Sequence, residues 1–254
     1  MALLHRAELR PSKLELLAGW LPGRPWFTGG ADGPVTRVAA YRFDDPAGEV
    51  GMETLLVRAG DGPVLQVPLT YRGAPLPGAE RFLVGVVEHS VLGRRWVYDA
   101  CGDPVYPPAL AAAVLTDAGQ AEEHFEVDGE REVRAPSMTV SGSRTDRALP
   151  VGPADEVVDG DPTVIRVDGV ELALVRRPVP ADARAGVAAD ARAGVSGDAR
   201  AGVSGDARAG VSGDARTGVA ADARAGVSGD APAVGRLVGG WPGLDAPVLL
   251  AYAR

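Results

Sequence analysis

Val35-Thr-Arg-Val-Ala-Ala-Tyr-Arg-Phe43, Val50-Gly-Met-Glu-Thr-Leu-Leu-Val-Arg58 and Pro63-Val-Leu-Gln-Val-Pro-Leu-Thr-Tyr71 decide the fold. Each stretch is rich in Val, Leu, Tyr or Thr and is bounded by Gly, Pro or Asp, which is the pattern of strands between turns. The gaps between them are too short for the crossover that parallel neighbours need, so they pair antiparallel. Segments 81–88 and 94–99 continue the series around Val91-Leu92-Gly93, which reads as a hairpin bend.

Upstream of this sheet, Ser12 and Glu15 have the spacing of a capping box, and Leu14, Leu16, Leu17, Trp20 and Leu21 follow it. A serine oxygen and a glutamate carboxylate at that spacing satisfy backbone N–H groups that the first helical turn leaves unpaired. Pro22-Gly23 ends the helix. Downstream, Pro107-Pro108 introduces an alanine-rich helix expected over 109–124. Further strands are expected at 133–140, 163–168, 170–177 and 247–253, with Asp168-Gly169 as a two-residue hairpin turn. The fold class is α+β: a mostly antiparallel curved sheet with one or two packed helices, then a β-rich C-terminal segment.

That segment carries an insertion. From Ala181 to Ala231 aspartates recur every eight residues, mostly within Asp-Ala-Arg-Ala-Gly-Val-Ser-Gly. Eight residues advance a helix by about 80° beyond whole turns, so no apolar stripe persists. As a strand, one valine per octad buries too little. Disorder is the expected state. The expected organisation is therefore a first unit over 1–130, a β-rich unit over 131–180 and 232–254, and the repeat over 181–231.

Composition narrows the function. A formal charge of −8 lacks the basic face of a nucleic-acid binder. No stretch reaches the roughly 20 apolar residues of a membrane span. One cysteine, Cys101, excludes a disulfide framework within the chain and suits a reducing cytoplasm. His5, His89 and His124 have no zinc-ligand spacing, so neither a metal nor another cofactor is expected. Of 26 basic residues, one is a lysine, Lys13 on the first helix.

The densest polar cluster runs from Glu88 and His89 through Arg94, Arg95, Trp96 and Tyr98 to Asp99. A carboxylate beside a histidine can act as a general acid–base pair, and Glu88 with Asp99 has the make-up of a glycosidase pair. Structural pairing of these acids with the arginines is the plainer reading. Trp26, Tyr71, Trp96 and Tyr98 can stack on sugar rings, although packing into a core competes with that role. Cys101 lies among acids, which raise a thiol pKa and oppose nucleophilic reactivity.

Leu17-Ala-Gly-Trp-Leu-Pro-Gly-Arg-Pro-Trp-Phe27, Val67-Pro-Leu-Thr-Tyr-Arg72 and Trp96-Val-Tyr-Asp-Ala-Cys-Gly-Asp-Pro104 together resemble the N-terminal cap of actinobacterial maltokinases. The chain is similar above all to short standalone proteins with this cap and no complete kinase, some of them labelled α-glucan branching proteins. Within that resemblance, Leu172-Ala-Leu-Val-Arg-Arg177 corresponds to the strand that carries the ATP-binding lysine, and Ala173 stands at the lysine's place. The catalytic loop and magnesium ligands of a kinase need a C-lobe, and the chain ends at Arg254.

The resemblance therefore implies a non-catalytic accessory or regulatory protein of maltose, trehalose or α-glucan metabolism. Its implied partner is a kinase or a glucan-processing enzyme. A small-ligand or oligosaccharide-binding module is a second reading. An enzyme of α-glucan metabolism, of kinase or branching type, is a third.

Overall fold

The computed structural model describes residues 2–4, 7–28, 33–127, 130–146, 149–150, 152–182 and 233–254. The octapeptide repeat beyond Asp182 lies outside the described residues, as does His5. The first helix, α1 (Lys13–Trp20), starts at the expected box: Ser12 Oγ accepts from Glu15 N, and Ser12 N donates to the Glu15 carboxylate at 2.8 Å.

The strands in chain order are β1 (Ala2–Leu4), β2 (Leu9–Arg10), β3 (Val35–Phe43), β4 (Gly51–Ala59), β5 (Val64–Arg72), β6 (Leu83–His89) and β7 (Gly93–Asp99). After α2 (Tyr106–Leu115) come β8 (Glu123–Val127), β9 (Glu130–Val133), β10 (Thr139–Gly142), β11 (Glu156–Val158), β12 (Thr163–Val167), β13 (Val170–Pro180), β14 (Gly235–Gly240) and β15 (Val248–Ala253). The first large sheet has the order β2-β6-β7-β5-β4-β3, is antiparallel throughout and curls into a half-barrel. The second has the order β10-β14-β15-β13-β12-β11 and is also antiparallel. In a small third sheet, β1 runs parallel to β8, and β9 closes it.

Alternation along the strands gives the first sheet two working faces. Leu55, Val57, Leu65, Val67 and Val97 pack under α1 with Leu17, Trp20 and Trp26. Tyr41, Phe43, Met52 and Leu56 point the other way, into a core shared with α2 and with Ile165, Leu172, Leu174 and Leu250 of the second sheet. Gln66, fully buried on that second face, fastens the two sheets. Its amide donates to the carbonyls of Val175 and Leu250, at 2.9 Å each, while its carbonyl accepts from the Tyr41 hydroxyl.

Three expected boundaries move. The second helix starts at Tyr106, with both prolines in its first turn, where their missing N–H groups cost nothing. It stops at Leu115 rather than 124. Thr116 leaves the helical region (φ −130°, ψ −177°), and Gly119 takes a positive φ of 66°. The chain then enters β8, which was not expected and whose first two residues fall at the end of the expected helix. The expected strand 133–140 is two strands, β9 and β10, separated at Pro136-Ser137. There the Ser137 hydroxyl turns aside to bond both Ala40 N and Ala40 O. The Asp168-Gly169 turn forms as expected, both residues having positive φ (47° and 72°).

Where α2 ends, β10 crosses it at close range. A Cβ at Gly142 would fall 1.9 Å from Ala113 O and 2.4 Å from Thr116 O. Because both atoms are backbone, Gly142→Ala is expected to destabilise the fold by about 2–3 kcal/mol. At Gly240, on the neighbouring strand, a Cβ meets nothing within 4 Å, and Gly240→Ala should cost under about 1 kcal/mol. Thermal unfolding of the two variants reads the difference directly, and equal shifts would contradict the close crossing.

Candidate functional site

At one end of the face under α1, three side chains converge on a carboxylate. Glu53 on β4 is 5% exposed and receives Lys13 Nζ from α1, Arg42 Nη2 from β3 at 3.0 Å, and the Tyr71 hydroxyl from β5 at 3.0 Å. Strand register brings them there, since Arg42 pairs with Glu53 and Gly51 with Tyr71. Burial alone would raise the Glu53 carboxyl. Arg42, Lys13 and the Tyr71 hydroxyl outweigh it and hold the carboxyl at about 2. Burial pushes the Tyr71 hydroxyl up, and the Glu53 charge adds to that. Arg42 also reaches Glu123, so the cluster ties the third sheet to the first. The chain's only lysine is held within this group.

A second cluster sits where the two large sheets meet. Arg176 on β13 is fully buried. Its Nη2 bonds the Asp99 carboxylate at 2.6 Å, its Nε bonds Thr163 Oγ1 at 2.7 Å, and its guanidinium lies 4.6 Å from the Trp26 ring centroid. Trp26 stands edge-on to Trp20 and donates its indole N–H to Asp159 at 2.7 Å. Asp161 accepts from the backbone N–H of Arg176 and from Arg177 Nε. Burial opposes the Arg176 charge, but Asp99 more than restores it, so its pKa is raised. Cys101 is fully buried beside the same carboxylate. Its thiol is pushed well up, by burial first and by Asp99 second.

The candidates named from sequence do not converge on one place. Trp26 and Asp99 belong to the buried joint, and Tyr71 to the Glu53 cluster. Glu88, Arg94, Trp96 and Tyr98 share the face of the first sheet opposite α1, because Glu88 pairs with Arg94 and Val86 with Trp96. On β5, Thr70 and Arg72 stand opposite Tyr98 and Trp96. Arg72 is clamped by two bonds to fully buried Asp103, at 2.6 and 2.7 Å. Tyr98 is buried, its hydroxyl accepting from Leu76 N, whereas Trp96 keeps part of its surface open. Arg95 points to the opposite face, and the His89 Nδ1 accepts from two backbone N–H groups of the hairpin bend.

Glu88 and Arg94 form an exposed ion pair at 2.7 Å. Asp99 lies five residues along β7 from Arg94, roughly 17 Å at the rise of a strand. That exceeds the separation across which two carboxyls flank a glycosidic bond. Arg42, Glu53 and Arg176 were not singled out from sequence, whereas Asp103 lies just beyond the polar run 88–99. An isolated Glu inside the apolar run 52–57 was the one local signal, for a buried charge there demands partners.

Ala173, at the place of the kinase lysine in the resemblance, is 1% exposed in the middle of the second sheet, between Val164 and Tyr252. Among the described residues no group of His, Cys, Asp and Glu is arranged to hold a metal ion. No described helix is long and apolar enough to cross a membrane.

A curled antiparallel sheet with a capped helix on one face and a second sheet on the other defines an α+β module whose charged groups are mostly paired with one another. Residues 20–103 match the family model of the maltokinase N-terminal cap domain. That stretch, about a third of the chain, is similar to a maltokinase cap and runs from Trp20 through β3 to β7 and on to Asp103. No curated protein matches the chain.

The Glu53 carboxyl is held below its ordinary 4.5, at about 2. Its contribution to stability is thus complete above pH 4.5 and is lost as pH falls towards 2. Glu53→Gln is expected to destabilise the protein at neutral pH by roughly 3 kcal/mol. It should also flatten the acid limb of a stability-against-pH curve. An unchanged acid limb would show that Glu53 is not the coupled group.

Proposed function

We propose that this chain is a non-catalytic, cytoplasmic accessory protein. It docks on a kinase or glucan-processing enzyme of maltose, trehalose or α-glucan metabolism. The observation that carries this reading is the fate of Lys13. The one lysine in the sequence is bound to a buried carboxylate beside Arg42 and Tyr71, on the α1 side of the first sheet. A phosphate bound there would have to compete with Glu53 for the cation.

The docking half of the proposal is supported by where the apolar surface lies. Leu83, Val86, Val91 and Leu92 are 37–58% exposed, and all four belong to the β6–β7 hairpin beside partly open Trp96. They make up half of the eight large hydrophobic residues exposed among the described residues. Such a concentration, rimmed by Glu88, Arg94 and Arg72, supports reading this hairpin as the docking surface.

Two measurements test the proposal. The purified chain, incubated with ATP and maltose, is expected to form no sugar phosphate; product formation that Lys13→Met abolishes would reverse the reading. Immobilised chain is expected to retain a purified maltokinase or glucan-branching enzyme from its host. Val86→Glu combined with Leu92→Glu should weaken that retention by about tenfold or more. Equal retention by the variant would move the partner elsewhere.

A further inference from the structure

Beyond the matched cap, a groove of 420 Å³ opens between the segment entering β10 and the loop joining β14 to β15. Met138, 2% exposed, forms its floor, and Trp241 and Leu244 form a wall that leans on the core. Thr139 and Asp245 stand on the exposed rim.

The groove is built, not incidental. Ser137 is fixed to Ala40 by two hydrogen bonds of 2.9 and 3.0 Å. The Gln120 side chain bonds Met138 O and Val140 N, at 2.9 Å each, so the β10 side cannot drift. On the other side Leu244 N closes a turn onto Trp241 O, and Pro247 O accepts from Ala181 N. Pro136, Pro242 and Pro247 fix the backbone around the rim.

The lining selects a ligand class. It contains an indole wall, a carboxylate and two hydroxyls, of which Ser137's is bonded to Ala40, and no basic side chain. Among the described residues, neither Asp245 nor Thr139 spends its side chain on a hydrogen bond or ion pair. Without a cation the groove cannot favour phosphates or carboxylates. One carboxylate is too few for a divalent metal ion. Proline-rich peptides use grooves lined by several aromatics, and here there is one. A neutral, polyhydroxylated ring fits what remains: its C–H face against Trp241, adjacent hydroxyls donating to the Asp245 carboxylate, and a further hydroxyl bonding Thr139. The volume lies within the range of small-ligand sites.

We propose that the groove between Met138 and Trp241 binds an uncharged sugar of one or two pyranose rings, with Asp245 as the hydroxyl acceptor. This site is separate from the hairpin surface and does not depend on the partner reading.

Its test is a titration of the full chain with maltose, trehalose and maltotriose, followed by two-dimensional NMR and by tryptophan fluorescence. Shifts are expected at the Trp241 indole N–H and at Thr139 and Gly240, with a Kd in the range of about 1 mM. Asp245→Asn, an exposed and conservative change, should weaken binding by about tenfold. Trp241→Ala should abolish it, and Trp96→Ala should leave it intact. Three results would overturn the proposal: no shift with any of these sugars, shifts centred on Trp96, or saturation of the groove by a proline-rich peptide but by no sugar. Loss of partner retention in the hairpin variant, with sugar binding preserved, would separate the two sites.

Discussion

One guanidinium holds the two large sheets in register. Arg176 extends from the second sheet to Asp99 at the end of the first, and Trp26 covers its flat face. Burying an arginine costs several kcal/mol unless its charge and its N–H groups are answered. Asp99 answers the charge, Thr163 answers Nε, and the indole ring supplies a cation–π contact. Nη1 has no protein partner among the described residues. The joint is therefore better at fixing geometry than at adding stability. Either partner left alone would be a buried, unanswered charge, so neither sheet can shift without penalty. Gln66 repeats the device with neutral groups, spanning from β5 to the carbonyls of Val175 and Leu250.

The same economy governs Lys13. In a chain that uses arginine almost everywhere, the one lysine anchors the start of α1 to Glu53 and thereby holds the helix against the sheet. In the stretch compared with a phosphate-binding kinase strand, the charge is likewise structural. Ala173 fills the sheet interior, and the cation three residues on, Arg176, is a structural one. Both cations, Lys13 and Arg176, are spent on carboxylates of the protein itself. The surface that remains open is apolar at the β6–β7 hairpin and neutral or acidic at the Trp241 groove.

Local rules carried the sequence reading a long way. The capping box at Ser12, the hairpin turn at Asp168-Gly169 and five of the six strands of the first sheet are set by neighbours in the chain, and they form where the pattern puts them. Glu88 with Arg94 was legible for the same reason, since a hairpin brings them opposite each other. What stayed hidden depends on distant pairing. β8 was not expected, and its first two residues overlap the end of the expected second helix, because its strand state comes from β1 and β9, not from its own composition. β14 is rich in glycine and has little strand propensity, and it exists by pairing with β10 and β15. The site clusters follow this logic. Asp99 was singled out as one acid in a polar run, yet its partner is 77 residues away. Trp241 was passed over because nothing near it in sequence announces the Pro136–Thr139 segment that completes its groove.

The joint at Arg176 is tested most directly by a double-mutant cycle in chemical denaturation, using Arg176→Met, Asp99→Leu and the pair. Each single change is expected to cost about 3–5 kcal/mol, because it strands the opposite charge in the core. The double variant should recover much of that loss, giving a coupling of about 2 kcal/mol or more. Additive losses, with a coupling below about 0.5 kcal/mol, would mean that Arg176 and Asp99 do not hold the sheets together as a pair.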